Sequence, residues 1–205
     1  KLLVLGSTGL VGRHVLAQAI AHAQVDEVIA PVRRPVEAQP KLLAPVVDFD
    51  TLPADAPWWH ADAVICALGT TMRIAGSEQA FRRVDHDYPL AAAQLAHAHG
   101  TPTYVLNSST NADRNARVFY LRVKGETENA LTRLPFKAAY MIRPGYIQPL
   151  LGPIQHVVDA HGVIIAHTFV PGVPDEIAAD YRDQRPVYNR VIPGMGGFTE
   201  VTAPI

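Results

Sequence analysis

The chain begins with a short apolar segment that stops at a glycine and leads directly into an amphipathic segment. Residues 1–5 are too few for a helix and are typical of a strand that is buried on both faces. Residues 10–23 then carry apolar side chains at helical spacing. A strand that runs through a glycine turn into a helix is the start of a β-α-β crossover, and such crossovers join parallel strands.

The same alternation continues to about residue 150. Further strands are predicted at residues 25–33, 41–49, 62–69, 102–109 and 137–145, and further helices at residues 78–99 and 115–134. Strands that alternate with helices predict an α/β fold, namely a doubly wound parallel sheet in a three-layer α/β/α arrangement. Pro45 limits how regular the third strand can be.

The last quarter of the chain follows a different pattern. Residues 151–205 are rich in proline and glycine and have no long periodic segment, apart from a predicted short helix at residues 174–181 and one or two short strands. We interpret residues 1–150 as the core domain. Residues 151–205 are interpreted as a short irregular C-terminal extension that packs on the same domain, on its substrate side.

Composition excludes several classes of protein. Of the 205 residues, 48% are hydrophobic and 18% are charged, a balance typical of a globular domain. The net charge of −1 gives no basic field that would attract nucleic acid or an anionic membrane. No apolar run reaches the roughly 18 residues of a membrane-spanning helix, and the N-terminus lacks the features of a secretory signal. The single cysteine, Cys66, excludes an internal disulfide, so we expect a cytoplasmic protein.

The loop after the first strand carries three glycines, Gly6, Gly9 and Gly12. In this position the first glycine permits a tight turn, the second lets the backbone approach a pyrophosphate, and the third lets the helix pack closely on the strand. The N-terminus of the following helix attracts phosphate groups. The loop therefore predicts a dinucleotide site, and a plain turn with a helix cap is the alternative.

The end of the second strand indicates which dinucleotide would bind. A carboxylate there would bind the ribose 2′-hydroxyl and repel a 2′-phosphate. This chain instead has Arg33 and Arg34, and Arg13 at the start of the first helix could join them. Guanidinium groups suit a phosphate, so NADP(H) is preferred and NAD(H) remains the second choice. Solvated loop arginines are the alternative reading.

Two further strand ends are expected to contact the cofactor, because ligands lie beyond the carboxyl ends of parallel strands. Asp48 and Phe49 end the third strand and could flank the adenine. The fourth strand is expected to end beneath the cofactor, in the segment Ala67, Leu68, Gly69, Thr70 and Thr71. The two threonines could equally cap the next turn.

The fifth strand and the following helix carry candidate catalytic groups. Ser108 and Ser109 end the strand, and Tyr120 precedes Lys124 by four residues, which is one helical turn. A serine hydroxyl could hold a substrate carbonyl, and Tyr120 could exchange its proton while hydride moves to or from the cofactor. Lys124 would stabilise the phenolate and could hydrogen-bond the nicotinamide ribose. Taken alone, Tyr120 and Lys124 could also be two residues of an ordinary amphipathic turn.

Six segments together resemble a known family. They are "GSTGLVGR", "CALGTT", "AGSEQAFRRVDHDYPLAAA", "NSSTNAD", "YLRVKGETE" and "RPGYI". In this order the chain resembles the short-chain dehydrogenase/reductase superfamily, in its atypical branch of small NAD(P)-binding proteins, and within it the Tat-interacting-protein-like group. The resemblance covers roughly the first 150 residues.

The resemblance implies a Rossmann fold, NADP(H) as cofactor, and a site formed by Ser109 or Ser108 with Tyr120 and Lys124. It implies cofactor contacts along Gly6, Ser7, Thr8, Gly9, Leu10, Val11, Gly12 and Arg13. It also implies that Pro144, Gly145 and Tyr146 border the nicotinamide. The loop before Tyr120 is shorter than is usual in the family, and residues after about 151 depart from the family pattern.

Three functions fit these residues. The first is an NADP(H)-dependent oxidoreductase acting on a small carbonyl or alcohol. The second is a non-catalytic NADP(H)-binding module that acts through a protein partner. The third is epimerase or dehydratase chemistry on a nucleotide sugar, which usually needs a larger C-terminal substrate domain than this chain has. We also expect Cys66 to be a small core residue and Asp85 to lie near the active-site cleft.

Overall fold

The computed structural model describes residues 1–144 and two further strands, β7 (Gln155–Val158) and β8 (Ile164–His167). The first range contains the strands β1 (Leu2–Leu5), β2 (Val28–Ile29), β3 (Leu42–Leu43), β4 (Ala63–Cys66), β5 (Thr103–Asn107) and β6 (Ala138–Ile142). Its α-helices are α1 (Gly12–Ala21), α2 (Met72–Ala75), α3 (Glu78–Arg82), α4 (Tyr88–Ala98) and α5 (Phe119–Leu131). A short 3₁₀ turn spans Pro57–Trp59, and a π-helical segment, Arg83–Asp87, joins α3 to α4.

The six strands of residues 1–144 form one parallel sheet in the order β3-β2-β1-β4-β5-β6. Leu5 at the end of β1 lies beside Cys66 of β4, and Cys66 lies beside Leu106 of β5. This is the doubly wound order of a Rossmann fold, which confirms the predicted α/β class. Its topological switch point lies between β1 and β4, where such sheets bind their ligands.

Both faces of the sheet are covered, as the apolar strands predict. Leu3 and Leu5 pack in one core cluster with Ala92 of α4. Val4 projects to the opposite face, because successive side chains of a strand alternate, and it is also buried. Val15 of α1 is buried as well, and α1 packs against β1 and β2. The sheet is thus the middle layer between helices, and its carboxyl edge is left for the loops.

The two strands at one edge of the sheet, β2 and β3, are much shorter than predicted. β2 and β3 have two paired residues each, followed by a single bridge between Val32 and Val46. Prolines explain the difference, because Pro31 and Pro45 lack the N–H group that an uninterrupted ladder needs. Hydrogen bonds from Val32 N to Pro45 O (2.9 Å) and from Val47 N to Val32 O (2.8 Å) still hold the two segments together.

The helix predicted at residues 78–99 is interrupted by the π-helical segment. Ser77 caps its start by accepting a hydrogen bond from Ala80 N (3.1 Å). Within the π-helical segment, the carbonyl oxygen of Asp85 accepts a hydrogen bond from the Thr127 hydroxyl of α5 (2.9 Å). An α5 side chain therefore contacts the backbone of the segment where the regular α-helical pattern is broken.

The chain divides into two compact units, residues 1–145 and 146–205. In the second unit, β7 and β8 pair antiparallel, with Gln155 opposite His167. The helix predicted at residues 174–181 lies outside the described residues, and the interpretation of 151–205 as an extension of the core stays a prediction. In the described part of the chain, no helix is long and apolar enough to cross a membrane.

Candidate functional site

The glycine turn after β1 is packed directly against the end of β4. Gly6 has a φ of +78°, which favours glycine, and a Cβ added there would lie 2.7 Å from the carbonyl carbon of Ala67. A Cβ added to Gly12 would lie only 2.0 Å from the carbonyl oxygen of Gly6. Both positions therefore exclude a side chain. The turn, which connects β1 to α1, therefore packs tightly against the end of β4 at the topological switch point.

The same turn presents a hydroxyl and a helix N-terminus that can bind an anion. Ser7 is buried, and its hydroxyl has no hydrogen-bond partner among the described residues. Val11, the residue that precedes α1, provides no side-chain cap, and the first turn of α1 contains no acidic residue. The N–H groups and the positive dipole end of α1 are therefore not neutralised by a carboxylate of that turn. A buried hydroxyl, glycine walls and an uncapped helix start together fit the pyrophosphate of a dinucleotide.

The three predicted phosphate-binding arginines are exposed. Arg33 and Arg34 follow immediately after the Val32 bridge, where the chain leaves the sheet, and Arg13 lies in the first turn of α1. Within residues 1–144, none of the three guanidinium groups makes an ion pair or a side-chain hydrogen bond. These cations are accordingly not engaged by other described side chains.

Asp48 and Phe49, which were predicted to end the third strand and flank the adenine, lie several residues beyond the end of β3. Phe49 is buried in the core, with its ring centroid 5.6 Å from that of Tyr88. Asp48 is exposed, and its carboxylate accepts hydrogen bonds from the Asp50 N–H (2.9 Å) and the Thr51 hydroxyl (3.4 Å). Both side chains are engaged within the fold, so an adenine contact stays a prediction.

The segment after β4 passes beside Asp85 and Lys124. Leu68 packs against the core, whereas Gly69 is exposed. A Cβ on Gly69 would lie 3.4 Å from a carboxylate oxygen of Asp85 and 3.7 Å from Lys124 Nζ. The next residue, Thr70, donates its N–H to the other Asp85 oxygen (2.8 Å). Gly69 therefore lies over the charged side chains of Asp85 and Lys124, and it has no side chain that would separate them from a ligand.

Thr71 has the capping role that was the alternative for it. Its hydroxyl accepts a hydrogen bond from Ile74 N (3.3 Å) at the start of α2. A hydroxyl that accepts this hydrogen bond still has its own proton to donate, so the capping role does not exclude a ligand contact.

The charged pair under Gly69 is the most deeply buried ionic contact in residues 1–144. Lys124 Nζ lies 2.8 Å from Asp85 Oδ1, and the side chains are only 5% and 1% exposed. Lys124 Nζ also lies 3.5 Å from the carbonyl oxygen of Asn107, at the end of β5. Burial raises the pKa of Asp85 above its ordinary value, and the Lys124 charge and the Thr70 N–H act in the opposite direction.

Tyr120 lies one helical turn before Lys124 on α5 and is half-buried. Its ring packs edge-on against Phe81 of α3, with 5.8 Å between the ring centroids. Phe81 is fully buried and also contacts the ring of Phe119 at 5.6 Å. This aromatic contact packs the Tyr120 ring against α3.

The two candidate serines differ sharply in their surroundings. Ser108 is buried, and its hydroxyl donates to the carboxylate of Glu128 in α5 (2.5 Å). Ser109 is half-buried, and its hydroxyl makes one hydrogen bond, to the Thr110 carbonyl oxygen (3.2 Å). Ser108 is thus held in an internal network, whereas Ser109 has a hydroxyl that is only weakly engaged.

The internal network around Ser108 was not predicted from the sequence. The side chain of Arg143, just after β6, donates two hydrogen bonds to Glu128, one from Nε at 2.9 Å and one from the terminal nitrogen Nη2. These hydrogen bonds raise the pKa of Arg143. The spacing of Lys124 and Glu128 on α5 suggests an ion pair between them, but each pairs with a residue from another element.

The residues predicted to border the nicotinamide are described in part. Thr110 N donates to the Pro144 carbonyl oxygen (2.9 Å), so the chain after β6 runs beside the chain after β5. Gly145 and Tyr146 lie outside the described residues.

The fold and the glycine turn define the class of this protein, which is that of the dinucleotide-binding Rossmann proteins.

Comparison with known proteins narrows this class to a family. No family model matches the chain. The protein HTATIP2 of Rattus norvegicus is 36% identical over 183 residues, covering 87% of this chain and 73% of the rat protein. The protein fmp52 of Emericella nidulans is 35% identical over 154 residues, covering 70% of this chain and 65% of the fungal protein. The chain therefore belongs to the Tat-interacting-protein-like group of atypical short-chain dehydrogenase/reductases, as the resemblance predicted.

Solved structures support the fold alone. The oxidoreductase ylbE from Lactococcus lactis aligns with a TM-score of 0.57 and 21% identity, covering 77% of this chain and 75% of that protein. At this identity the likeness establishes the fold and nothing about cofactor, reaction or substrate.

The prediction of a cytoplasmic location is wrong. The fmp52 protein and further fungal relatives are named mitochondrial proteins. The prediction rested on a single cysteine, which excludes an internal disulfide but does not distinguish one reducing compartment from another.

The glycine turn gives a prediction with an internal control. Gly12→Ala is expected to lower the free energy of unfolding by roughly 2 kcal/mol or more, because its Cβ would overlap Gly6. Gly9→Ala is expected to stay within about 1 kcal/mol of the parent, because its Cβ would lie 3.3 Å from the Gly6 oxygen. Urea unfolding followed by circular dichroism measures both, and equal losses would contradict the packing described here.

Proposed function

We propose that the protein is an NADP(H)-dependent oxidoreductase that transfers hydride to or from a small carbonyl or alcohol. The observation that carries the proposal is the meeting of two features at the end of β4. The glycine turn contacts Ala67, and two residues further on Gly69 lies against Lys124. A phosphate-binding turn and a buried lysine on the tyrosine-bearing helix are thus linked through one short segment.

The residues of the glycine turn fit the cofactor. Ser7 and the start of α1 would hold the pyrophosphate, with the glycines leaving room for it. Arg33 and Arg34, with Arg13 on α1, would hold a 2′-phosphate, because all three guanidinium groups are exposed and unpaired within residues 1–144. These observations favour NADP(H) over NAD(H).

The catalytic roles follow from the positions of three side chains. Bound NADP(H) supplies or accepts the hydride. Ser109 would hold the substrate oxygen, and Tyr120 would donate the proton to that oxygen in the reducing direction and accept it in the oxidising direction. Lys124 would stabilise the phenolate from one helical turn away and hydrogen-bond the nicotinamide ribose. The partly exposed Tyr120 and Ser109 suit groups that must meet a substrate.

Between the two serines, the proposal selects Ser109. Ser108 already donates its proton to Glu128, and this carboxylate is held in turn by Arg143. Moving the Ser108 hydroxyl to a substrate would leave a buried carboxylate without one of its partners. Ser109 can turn its hydroxyl at little cost, because a 3.2 Å contact with a neighbouring carbonyl is all that it gives up.

The cofactor preference is tested with paired charge variants. Arg33→Ala/Arg34→Ala is expected to weaken NADPH binding roughly tenfold to a hundredfold and to leave NADH binding unchanged, because only NADPH has the 2′-phosphate. Fluorescence titration with both nucleotides measures the effect. The control is Arg133→Ala/Lys137→Ala, which removes two exposed cations at the opposite edge of the sheet. An equal loss of NADPH affinity in both double variants would show that the effect comes from net charge and not from a contact with Arg33 and Arg34.

The role of Tyr120 is tested by Tyr120→Phe. NADPH-dependent reduction of small carbonyl compounds is expected to fall at least about a hundredfold, with NADPH affinity changed less than about threefold, because only the exchangeable proton is lost. Tyr88→Phe is the matched control, since it removes a hydroxyl that bonds to Asp50. Activity that survives in Tyr120→Phe would refute the role, and NADPH binding without turnover in the wild type would favour the non-catalytic module.

The assignment of the serines predicts opposite effects for two neighbouring variants. Ser109→Ala is expected to lose activity about a hundredfold while keeping its stability. Ser108→Ala is expected to keep activity but to lose about 1–3 kcal/mol of unfolding free energy, because buried Glu128 loses a donor. Activity assays and urea unfolding of both variants distinguish these effects. The reverse pattern would assign the substrate contact to Ser108.

A further inference from the structure

Asp85 is a buried carboxylate to which the proposed reaction gives no role. Only 1% of its side chain is exposed. One oxygen contacts Lys124 Nζ at 2.8 Å, and the other accepts the Thr70 N–H at 2.8 Å. Asp85 therefore contacts both Lys124, the lysine of the proposed site, and the backbone of the segment after β4.

We propose that Asp85 is a positioning residue that holds Lys124 at the strand ends and keeps its ammonium group charged. The proposal rests on the proposed function, since it concerns the lysine of that site. Asp85 acts through Lys124 and Thr70 and needs no contact with cofactor or substrate.

Burial makes a partner necessary for Lys124. An ammonium group removed from water without a counter-charge tends to lose its proton, because the neutral amine is far less costly to bury. A neutral amine could neither stabilise a phenolate by its charge nor donate as strongly to a ribose hydroxyl. Asp85 supplies the counter-charge at contact distance.

The other groups around Lys124 do not supply that charge. On the strands, burial raises the pKa of the Cys66 thiol, so the thiol stays neutral at physiological pH. The Asn107 carbonyl contributes a dipole only. Within residues 1–144, Asp85 is thus the one carboxylate in ion-pair contact with Lys124.

The backbone of Asp85 is also held in place, by a hydrogen bond from α5. Asp85 lies in the middle of the π-helical segment, and its own carbonyl oxygen accepts the Thr127 hydroxyl of α5. The same hydroxyl lies 2.8 Å from the Val123 carbonyl oxygen, so its single proton is shared between the two carbonyl groups. Asp85 and Lys124 are therefore connected twice, through their side chains and through Thr127. π-helical segments occur often at functional sites.

A double-mutant cycle on NADPH binding tests the proposal, with Asp85→Asn, Lys124→Met and the double variant. Asparagine keeps an acceptor for Thr70 and removes the charge. Asp85→Asn is expected to weaken NADPH binding roughly tenfold when Lys124 is present and less than about twofold in Lys124→Met. Equal weakening in both backgrounds would make Asp85 merely structural, and no weakening in either would also overturn the proposal.

A second measurement reports the charge directly. The protein has four lysines, so the ε-carbon NMR signal of Lys124 in ¹³C-lysine-labelled protein can be assigned by its loss in Lys124→Met. At pH 8 we expect the ammonium position in the wild type and a shift towards the neutral amine in Asp85→Asn. An ammonium signal retained in Asp85→Asn would overturn the proposal. If that variant does not fold, a neutral amine in the wild type would overturn it.

The two readouts separate this proposal from the proposed function. If wild-type protein fails to bind NADPH, the cofactor assignment fails, and the NMR comparison of wild type with Asp85→Asn still decides whether Asp85 keeps Lys124 charged. If NADPH binds and the cycle is additive, the cofactor site stands and only the role of Asp85 is lost.

Discussion

The buried ion pair between Lys124 and Asp85 is the contact on which the arrangement of the site depends. It joins α5 to the π-helical segment, and through the Thr70 N–H it also joins both to the end of β4. Burying two charges is costly unless each is paired and hydrogen-bonded, and removal of one partner leaves the other uncompensated. The pair therefore fixes the relative positions of three elements more strictly than apolar packing would, because charges tolerate little displacement in a buried site.

Two other contacts make the same edge rigid. On one side, the glycine turn is pressed against Ala67, so the first helix begins close to the central strands. On the other side, Ser108, Glu128 and Arg143 tie β5, α5 and β6 together. A site that must hold reacting groups within a fraction of an ångström needs such support around it. The support also leaves Ser109 and Tyr120 as the partly exposed groups between the rigid contacts.

Much of the fold was predictable, because periodicity is a local property of the chain. The alternation of apolar strands and amphipathic helices gave the parallel sheet and the order of elements up to β6. The lengths of β2 and β3 were overestimated, although Pro31 and Pro45 were visible in the sequence. The π-helical segment had no local signal, since the Thr127 hydroxyl that bonds to the Asp85 carbonyl lies 42 residues further along the chain.

By itself the sequence determined the residue types and their order: three glycines between a strand and a helix, serines at a strand end, and a tyrosine one turn before a lysine. Tertiary structure decided which of these side chains are free and which are engaged. Lys124 pairs with Asp85 rather than with Glu128 four residues away, Ser108 is held by Glu128, and Phe49 is buried in the core. The physical reason is that burial and pairing depend on contacts between distant segments, and local spacing only restricts which contacts can form.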